Sequence, residues 1–198
     1  MCRIYTLLTV SVIFLFGCAT TPKANLGQFK EAKAPIYPPI AIVTTSEELQ
    51  YRHSRSAFIG ALQETGAFES ILIDSPFAEF AMEVNLNTIN ELNGNTAEGL
   101  AKGVIFGSTL GLVPVNVKFV TQSNIKLRYR GIIFDQFDIK SEYSSNISIL
   151  SIGDKDAGLN GSYRKAVELI LLEMQKRESI PLFLESLKIT SEKNEVHL

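Results

Sequence analysis

Cysteine is scarce in this chain of 198 residues, and its two copies, Cys2 and Cys18, both fall at the N-terminal end. Nothing beyond Cys18 can form a disulfide, so the rest of the chain must be held by its core alone. Histidine is equally scarce, with only His53 and, beside the C-terminus, His197. A metal centre built from His and Cys is excluded by that count. Neither G-x-x-x-x-G-K-S/T nor G-x-G-x-x-G occurs, so no phosphate cradle is indicated. No apolar run reaches the ~20 residues of a spanning helix. Net charge is −2, which gives no electrostatic reason to expect nucleic acid or an anionic surface as partner.

The remaining chemical signals are weak. Gly107-Ser108-Thr109-Leu110-Gly111 sets its serine one place away from a nucleophile elbow, with no histidine placed to activate it. Asp154-x-Asp156-x-Gly158 hints at a calcium loop, but Lys165 stands where the closing glutamate belongs, so the segment reads as a turn. Asp135 and Asp138 could act as an acid and base pair, yet at this spacing in a hairpin they read as solvated charges. The expectation is a protein that is not an enzyme and carries no cofactor.

What is present starts at the N-terminus. Arg3 precedes an uncharged apolar run, Ile4 to Phe16, of about 13 residues, the length of a signal core. Leu15-Phe16-Gly17-Cys18 closes it and resembles the lipobox of bacterial lipoproteins, although Phe16 is bulky for its place. That resemblance implies a signal peptide over residues 1–17 and a Cys18 that carries diacylglycerol and palmitate as the first mature residue. One acyl chain binds a bilayer marginally, at ~0.8 kcal/mol per buried CH₂, whereas two or more attach lastingly. Ala19 stands where an aspartate would resemble an inner-membrane retention signal. The implied address is the inner leaflet of the outer membrane, facing the periplasm.

Residues 18–35, rich in Thr, Lys, Ala and Pro, read as the lipidated cysteine and a flexible tether. Residues 36–190 read as one periplasmic domain, and 191–198 as a frayed tail. With 45% hydrophobic residues the domain has enough apolar surface for a core. Ile40-Ala41-Ile42-Val43 suits a strand buried on both faces. Thr45 and Glu48 match a capping box for a helix that runs through Phe58, Ala61 and Leu62 and stops near Gly66. Phe68 to Asp74 follows as a strand, completing a βαβ unit.

Beyond it, Phe80, Met82, Val84 and Leu86 alternate with Glu83, Asn85 and Asn87. Val115, Val117, Phe119, Ile125, Leu127 and Tyr129 share odd numbering, and the phase resumes at Ile133, Phe137, Ile139, Tyr143, Ile147 and Ile149. This two-residue period predicts antiparallel strands with one dry and one wet face. The reversal is expected near Gly131, with Lys126 and Arg128 roughly opposite Asp138. A last helix is predicted over Ser162 to Glu178, with Tyr163, Val167, Ile170 and Met174 on its apolar stripe and Glu168 outside it. Pro181 is expected to end it. The class is α+β: a β-α-β-β start, a Gly-rich apolar helix, antiparallel strands and a C-terminal helix packed on one sheet.

Between the strands, Gly99, Gly103, Gly107 and Gly111 recur every fourth residue, with Leu100, Val104, Phe106, Leu110 and Leu112 between them and Pro114 at the end. On a helix this spacing makes a groove without side chains. Three readings compete: a helix buried against the sheet, an amphipathic element dipping into a membrane, and a groove for self-association into a homo-oligomer. Thr109-Leu110-Gly111-Leu112-Val113-Pro114 after such a stretch resembles a segment of a family of proteobacterial outer-membrane lipoproteins. The resemblance covers most of the chain and implies class and address without a mechanism. The β-α-β-β start is also similar, at fold level only, to the periplasmic domain of curli-secretion lipoproteins. The functional expectation is an envelope protein that supports assembly or maintenance through a protein partner. The alternative is a subunit of an oligomeric outer-membrane secretion channel, with the odd face of the strands after Pro114 turned to lipid.

Overall fold

In the computed structural model the described residues are 23–30, 37–75, 78–93, 96–151 and 154–195. The expected signal peptide and Cys18 lie outside them. In chain order the elements are α1 (Gly27–Lys30), β1 (Ile40–Thr44), α2 (Glu47–Gln50), α3 (Arg52–Thr65), β2 (Ile71–Ile73) and β3 (Phe80–Asn90). They continue with α4 (Ala97–Ser108), β4 (Val115–Tyr129), β5 (Ile132–Ile147), α5 (Gly158–Arg177) and α6 (Ser179–Glu195). The strands form one sheet in the order β2-β1-β3-β4-β5. β1 is parallel to β2 and β3, while β3, β4 and β5 are successively antiparallel. This is the α+β architecture expected.

The two-residue period decides which side the helices take. Phe80, Met82, Val84 and Leu86 of β3 and Ile125 and Leu127 of β4 are buried with Phe58 and Leu62 of α3. Tyr163, Val167, Ile170 and Met174 of α5 enter the same core. A second cluster of Val115, Val117, Phe119 and Tyr143 lies toward the other end of β4 and β5. Between the two clusters the odd face carries hydroxyls, and α5 passes directly over them. Thr121 Oγ1 lies 2.7 Å from Ser162 Oγ and 3.0 Å from Thr88 Oγ1. Gly161 lets this crossing happen, because a Cβ there would run into the Tyr143 ring and the Asp156 carbonyl. The odd face is therefore helix-covered, which corrects the channel reading that turned it toward lipid.

Tertiary contacts redirect some local signals and leave others as expected. Thr45 donates its backbone N–H to the Val84 carbonyl at 3.0 Å, prolonging the β1–β3 edge, and Ser46 caps α2 instead by accepting from Leu49 N. Glu48 accepts from Thr88 N at 2.6 Å and from the Tyr163 hydroxyl at 2.6 Å. Gly66, at φ 61°, closes α3 as expected. The β4–β5 reversal sits at Arg130 and Gly131, both with positive φ, as a two-residue hairpin turn demands. A register shift beside Leu127 and Arg128 aligns Asn124, not Lys126 or Arg128, with Asp138. Lys126 and Arg128 reach the other way, to Glu83 on β3.

Three boundary expectations also change. Residues 24–30 are not free tether: Leu26 and Phe29 are buried in the main core, and Lys23 pairs with Asp156 at 3.3 Å. Glu168, expected outside the α5 stripe, is buried beneath α1, where Gln28 Nε2 donates to it. Pro181 does not end the helical chain. α5 stops at Glu178, which adopts φ 50°, and Pro181 lies in the first turn of α6, where its missing N–H costs nothing. The backbone stays helical to Glu195, past the point where fraying was expected.

Candidate functional site

Chemistry comes first. No cluster of three or more His, Cys, Asp or Glu occurs among the described residues. Asp156 is engaged by Arg164 Nε at 2.9 Å, and Asp154 Oδ1 accepts from Asp156 N, so this segment is a turn fastened to α5. Ser108 Oγ donates to the Ile105 carbonyl of its own helix. Asp135 takes Arg177 at 2.7 Å, and the Arg177 bond holds its carboxyl below the usual range. Asp138 accepts from Asn124 Nδ2 at 2.7 Å. Each expected chemical group is thus occupied by a structural neighbour.

Two surfaces remain without a partner from the fold. The first is the even face of β4 with its neighbours on β3 and β5. Among the described residues helices pack only on the opposite face, and no position of this one is buried along β3, β4 or β5. At its centre Asn85, Asn87, Gln122, Asn124, Asp138 and Lys140 line a shallow groove of about 470 Å³. Toward the hairpin turn, Glu83 receives Lys126 at 3.3 Å and Arg128 at 2.6 Å. Burial alone would raise the Glu83 carboxyl, but these two cations outweigh it and hold it low. The sequence alternation marked this wet face, although not that four neutral amides would gather at its centre beside Asp138 and Lys140.

The second surface is α4 with the turns beside it. Within α4 only Gly99 is buried, which corrects the reading of a helix buried against the sheet. Thr96 caps the helix by accepting from Gly99 N at 3.1 Å. A Cβ on Gly99 would strike the Glu91 carbonyl oxygen, so the close approach there demands glycine. Gly111, at φ 73°, needs glycine for its backbone and packs on Phe106. Gly103 and Gly107 face open space. Phe106 is the α4 side chain that packs on the Val115–Phe119 cluster. Lys102 turns inward to Glu91 at 2.8 Å and Glu98 at 2.9 Å. Leu100, Val104, Ile105, Leu110, Leu112 and Val113 are exposed. Pro114 is exposed too, one residue before β4. The groove of four glycines is thus not one feature: its two ends serve the fold and its two middle members do not.

Compared by sequence, the chain matches no family model and no curated protein. Several solved structures are similar to it at low identity and low TM-score. A Xanthomonas campestris protein of the family DUF330 is 7% identical over 85% of this chain and 96% of its own, with a TM-score of 0.45. A minor lipoprotein from Acinetobacter baumannii is 10% identical over 74% of this chain and 93% of its own, with a TM-score of 0.36. The PelC dodecamer from Paraburkholderia phytofirmans is 12% identical over 69% of this chain and 86% of its own, with a TM-score of 0.38. At these values the likeness carries neither function nor assembly over to this chain.

Proposed function

We propose that this chain is a lipid-anchored envelope protein, fixed through Cys18 to the inner leaflet of the outer membrane, whose periplasmic domain holds a protein partner and catalyses nothing. The anchor is supported by Arg3, the apolar run after it and Leu15-Phe16-Gly17-Cys18. One observation carries the binding role: among the described residues a face of the sheet has no helix over it, and it presents Asn85, Asn87, Gln122 and Asn124 beside Asp138 and Lys140 around a groove. A side-chain amide offers donors and an acceptor without charge, which suits polypeptide backbone and polar side chains. The groove residues include no aromatic ring on which a sugar could stack, which favours a polypeptide.

The non-catalytic reading draws support from the carboxylates. Glu64, Glu83, Glu91, Asp135 and Glu142 are all held low by cationic or hydrogen-bonding neighbours. A general acid at neutral pH needs the opposite displacement. The test is site-specific photocrosslinking in intact cells from position 122 or 124, with position 175 on exposed α5 as control. A defined envelope protein captured from the sheet positions alone is the expected result. Capture from position 175 alone would overturn the assignment of this face.

A further inference from the structure

We propose that α4 and the two turns beside it form a bilayer-docking surface, which enters the boundary between headgroups and acyl chains of the same leaflet that holds the Cys18 lipid. Two segments distant in sequence build it. The Ile149 backbone N–H donates to the Gly111 carbonyl at 2.8 Å, bringing the turn Ile149–Ser151 against the turn that follows α4. Leu100 is 63% exposed, Val104 69%, Leu110 78%, Leu112 62% and Leu150 84%. Leu110 holds φ 51°, a left-handed backbone that a leucine adopts only under constraint. Five large aliphatic side chains turned outward at one end of a domain mark an interaction surface, since scattered single residues would need no account.

The position of the anchor names the occupant. Lys23 Nζ lies 3.3 Å from Asp156 Oδ2. Asp156 follows the Ile149–Ser151 turn and precedes α5, whose Gly158 N donates to Ser145 Oγ near the end of β5. Residue 23 therefore sits at the end of the sheet that carries Leu150 and the α4 turns. Cys18 precedes it by five residues, a contour of at most ~17 Å. A leaflet that holds Cys18 is within reach of this apolar end.

Charge and length define the mode of contact. Within α4, Lys102 is folded back onto Glu91 and Glu98, so no free cation points outward from the exposed side chains. Attraction to anionic headgroups is not built in, and docking should depend little on salt. At 12 residues α4 is ~18 Å long, too short to span and suited to lying in the interface plane. The strands then run away from the membrane, and the 15 residues of β4 place the Arg130–Gly131 turn roughly 45 Å out. The bare amide face stands clear of the bilayer along that length, open to a partner.

This inference rests on the proposed anchor, and its test separates the two. The mature chain has no free thiol, so Val104→Cys, Leu150→Cys and Gln122→Cys each give one labelling site for an environment-sensitive fluorophore. Full-length lipidated protein is reconstituted into phosphatidylcholine vesicles, some containing nitroxide-bearing lipid, and the mass of the N-terminal peptide is recorded. The expected result is blue-shifted emission, largely lost to nitroxide lipid, at 104 and 150, with water-exposed emission at 122. Lipidated, vesicle-bound protein whose 104 and 150 probes are quenched by aqueous iodide would overturn the docking surface while leaving the anchor standing. Probes shielded from both quenchers that quench one another would overturn it in favour of a second copy. An unmodified Cys18 in the peptide mass would remove the anchor, and the same probes still in lipid in a Cys18→Ser background, where they are again the one label, would keep the surface.

Discussion

Arg164 on α5 holds Glu64 on α3 through both terminal nitrogens of its guanidinium, with Nη2 at 2.9 Å from Oε1. The Arg164 side chain is nearly buried and the Glu64 side chain half-exposed. The Arg164 hydrogen bond first, with help from Lys155, lowers the Glu64 carboxyl from 4.5 to about 2. A carboxyl that is more acidic in the folded chain lends stability above its unfolded value and loses it as pH falls through the folded one. The full shift would be worth more, but solvent around Glu64 screens the pair, so Glu64→Gln is expected to cost ~1 kcal/mol at pH 7. In denaturant titrations that difference should shrink between pH 5 and about 2, whereas a gap that persists at pH 2 would show the loss to be one of packing.

Gly99 and Gly103 occupy the same helix and should respond oppositely to alanine. A methyl on Gly99 meets the Glu91 carbonyl, and relief would require the Glu91–Asn93 turn to move. Gly99→Ala is expected to destabilise by ~2 kcal/mol, within the range of overpacked sites. Gly103 faces open space, so Gly103→Ala should stabilise by up to ~1 kcal/mol through helix propensity alone. Thermal melts of the two variants decide it, and equal losses would mean that both glycines are packed.

Thr121 is fully buried and shares its hydroxyl between Ser162 and Thr88. Thr121→Val keeps the shape and removes the central member, leaving the buried Ser162 hydroxyl without this partner. A loss of ~1–3 kcal/mol in denaturant unfolding is expected, the cost of an unsatisfied buried group. Thr121→Val with Ser162→Ala should recover part of that loss, since both polar ends are then gone.

The same belt shows where the sequence is legible. Alternation read the faces of β3 and β4 correctly because one side must be dry, and Thr121 and Ser123 looked like interruptions only without knowledge of α5 above them. The α5 stripe was readable for the same reason, since Tyr163 to Met174 recur with the helical period. Thr45 with Glu48 met a motif whose two members were claimed by β3 instead, a competition no local pattern contains. The turn at Arg130 and Gly131 sets Arg128 opposite Ile133 and Lys126 opposite Gln136, and one extra residue beside Leu127 moves Asp138 only from Ser123 to Asn124. For α4, composition identifies apolar side chains equally well whether they meet a core, a lipid or a second copy. Only the placement of Gly99 against Glu91 and of Phe106 on the Val115–Phe119 cluster showed which side of the helix the fold uses.

Phe29 carries the remaining prediction, because it decides how far the domain could stray from the proposed anchor. The segment around it has the composition of a linker, yet Leu26 and Phe29 are almost fully buried and Gln28 reaches Glu168 at 3.3 Å. Two apolar residues three apart make one turn, α1, that fills a site in the main core cluster with residues of α3. Phe29→Ala is therefore expected to cost ~3–4 kcal/mol if α1 unfolds only with the rest of the domain. A second outcome separates local from global effects: if α1 detaches alone, the melting temperature holds while protease begins to cut at Lys30. Detachment would release Lys23 to Lys30 from the core and so lengthen the contour between Cys18 and the nearest residue held by the domain. A fluorophore at Val104→Cys in vesicles would then lose part of its lipid contact as the apolar end becomes free to leave the surface, even though the lipid still holds the chain. Unchanged stability, proteolysis and lipid contact together would mean that α1 does not fasten the domain to the bilayer.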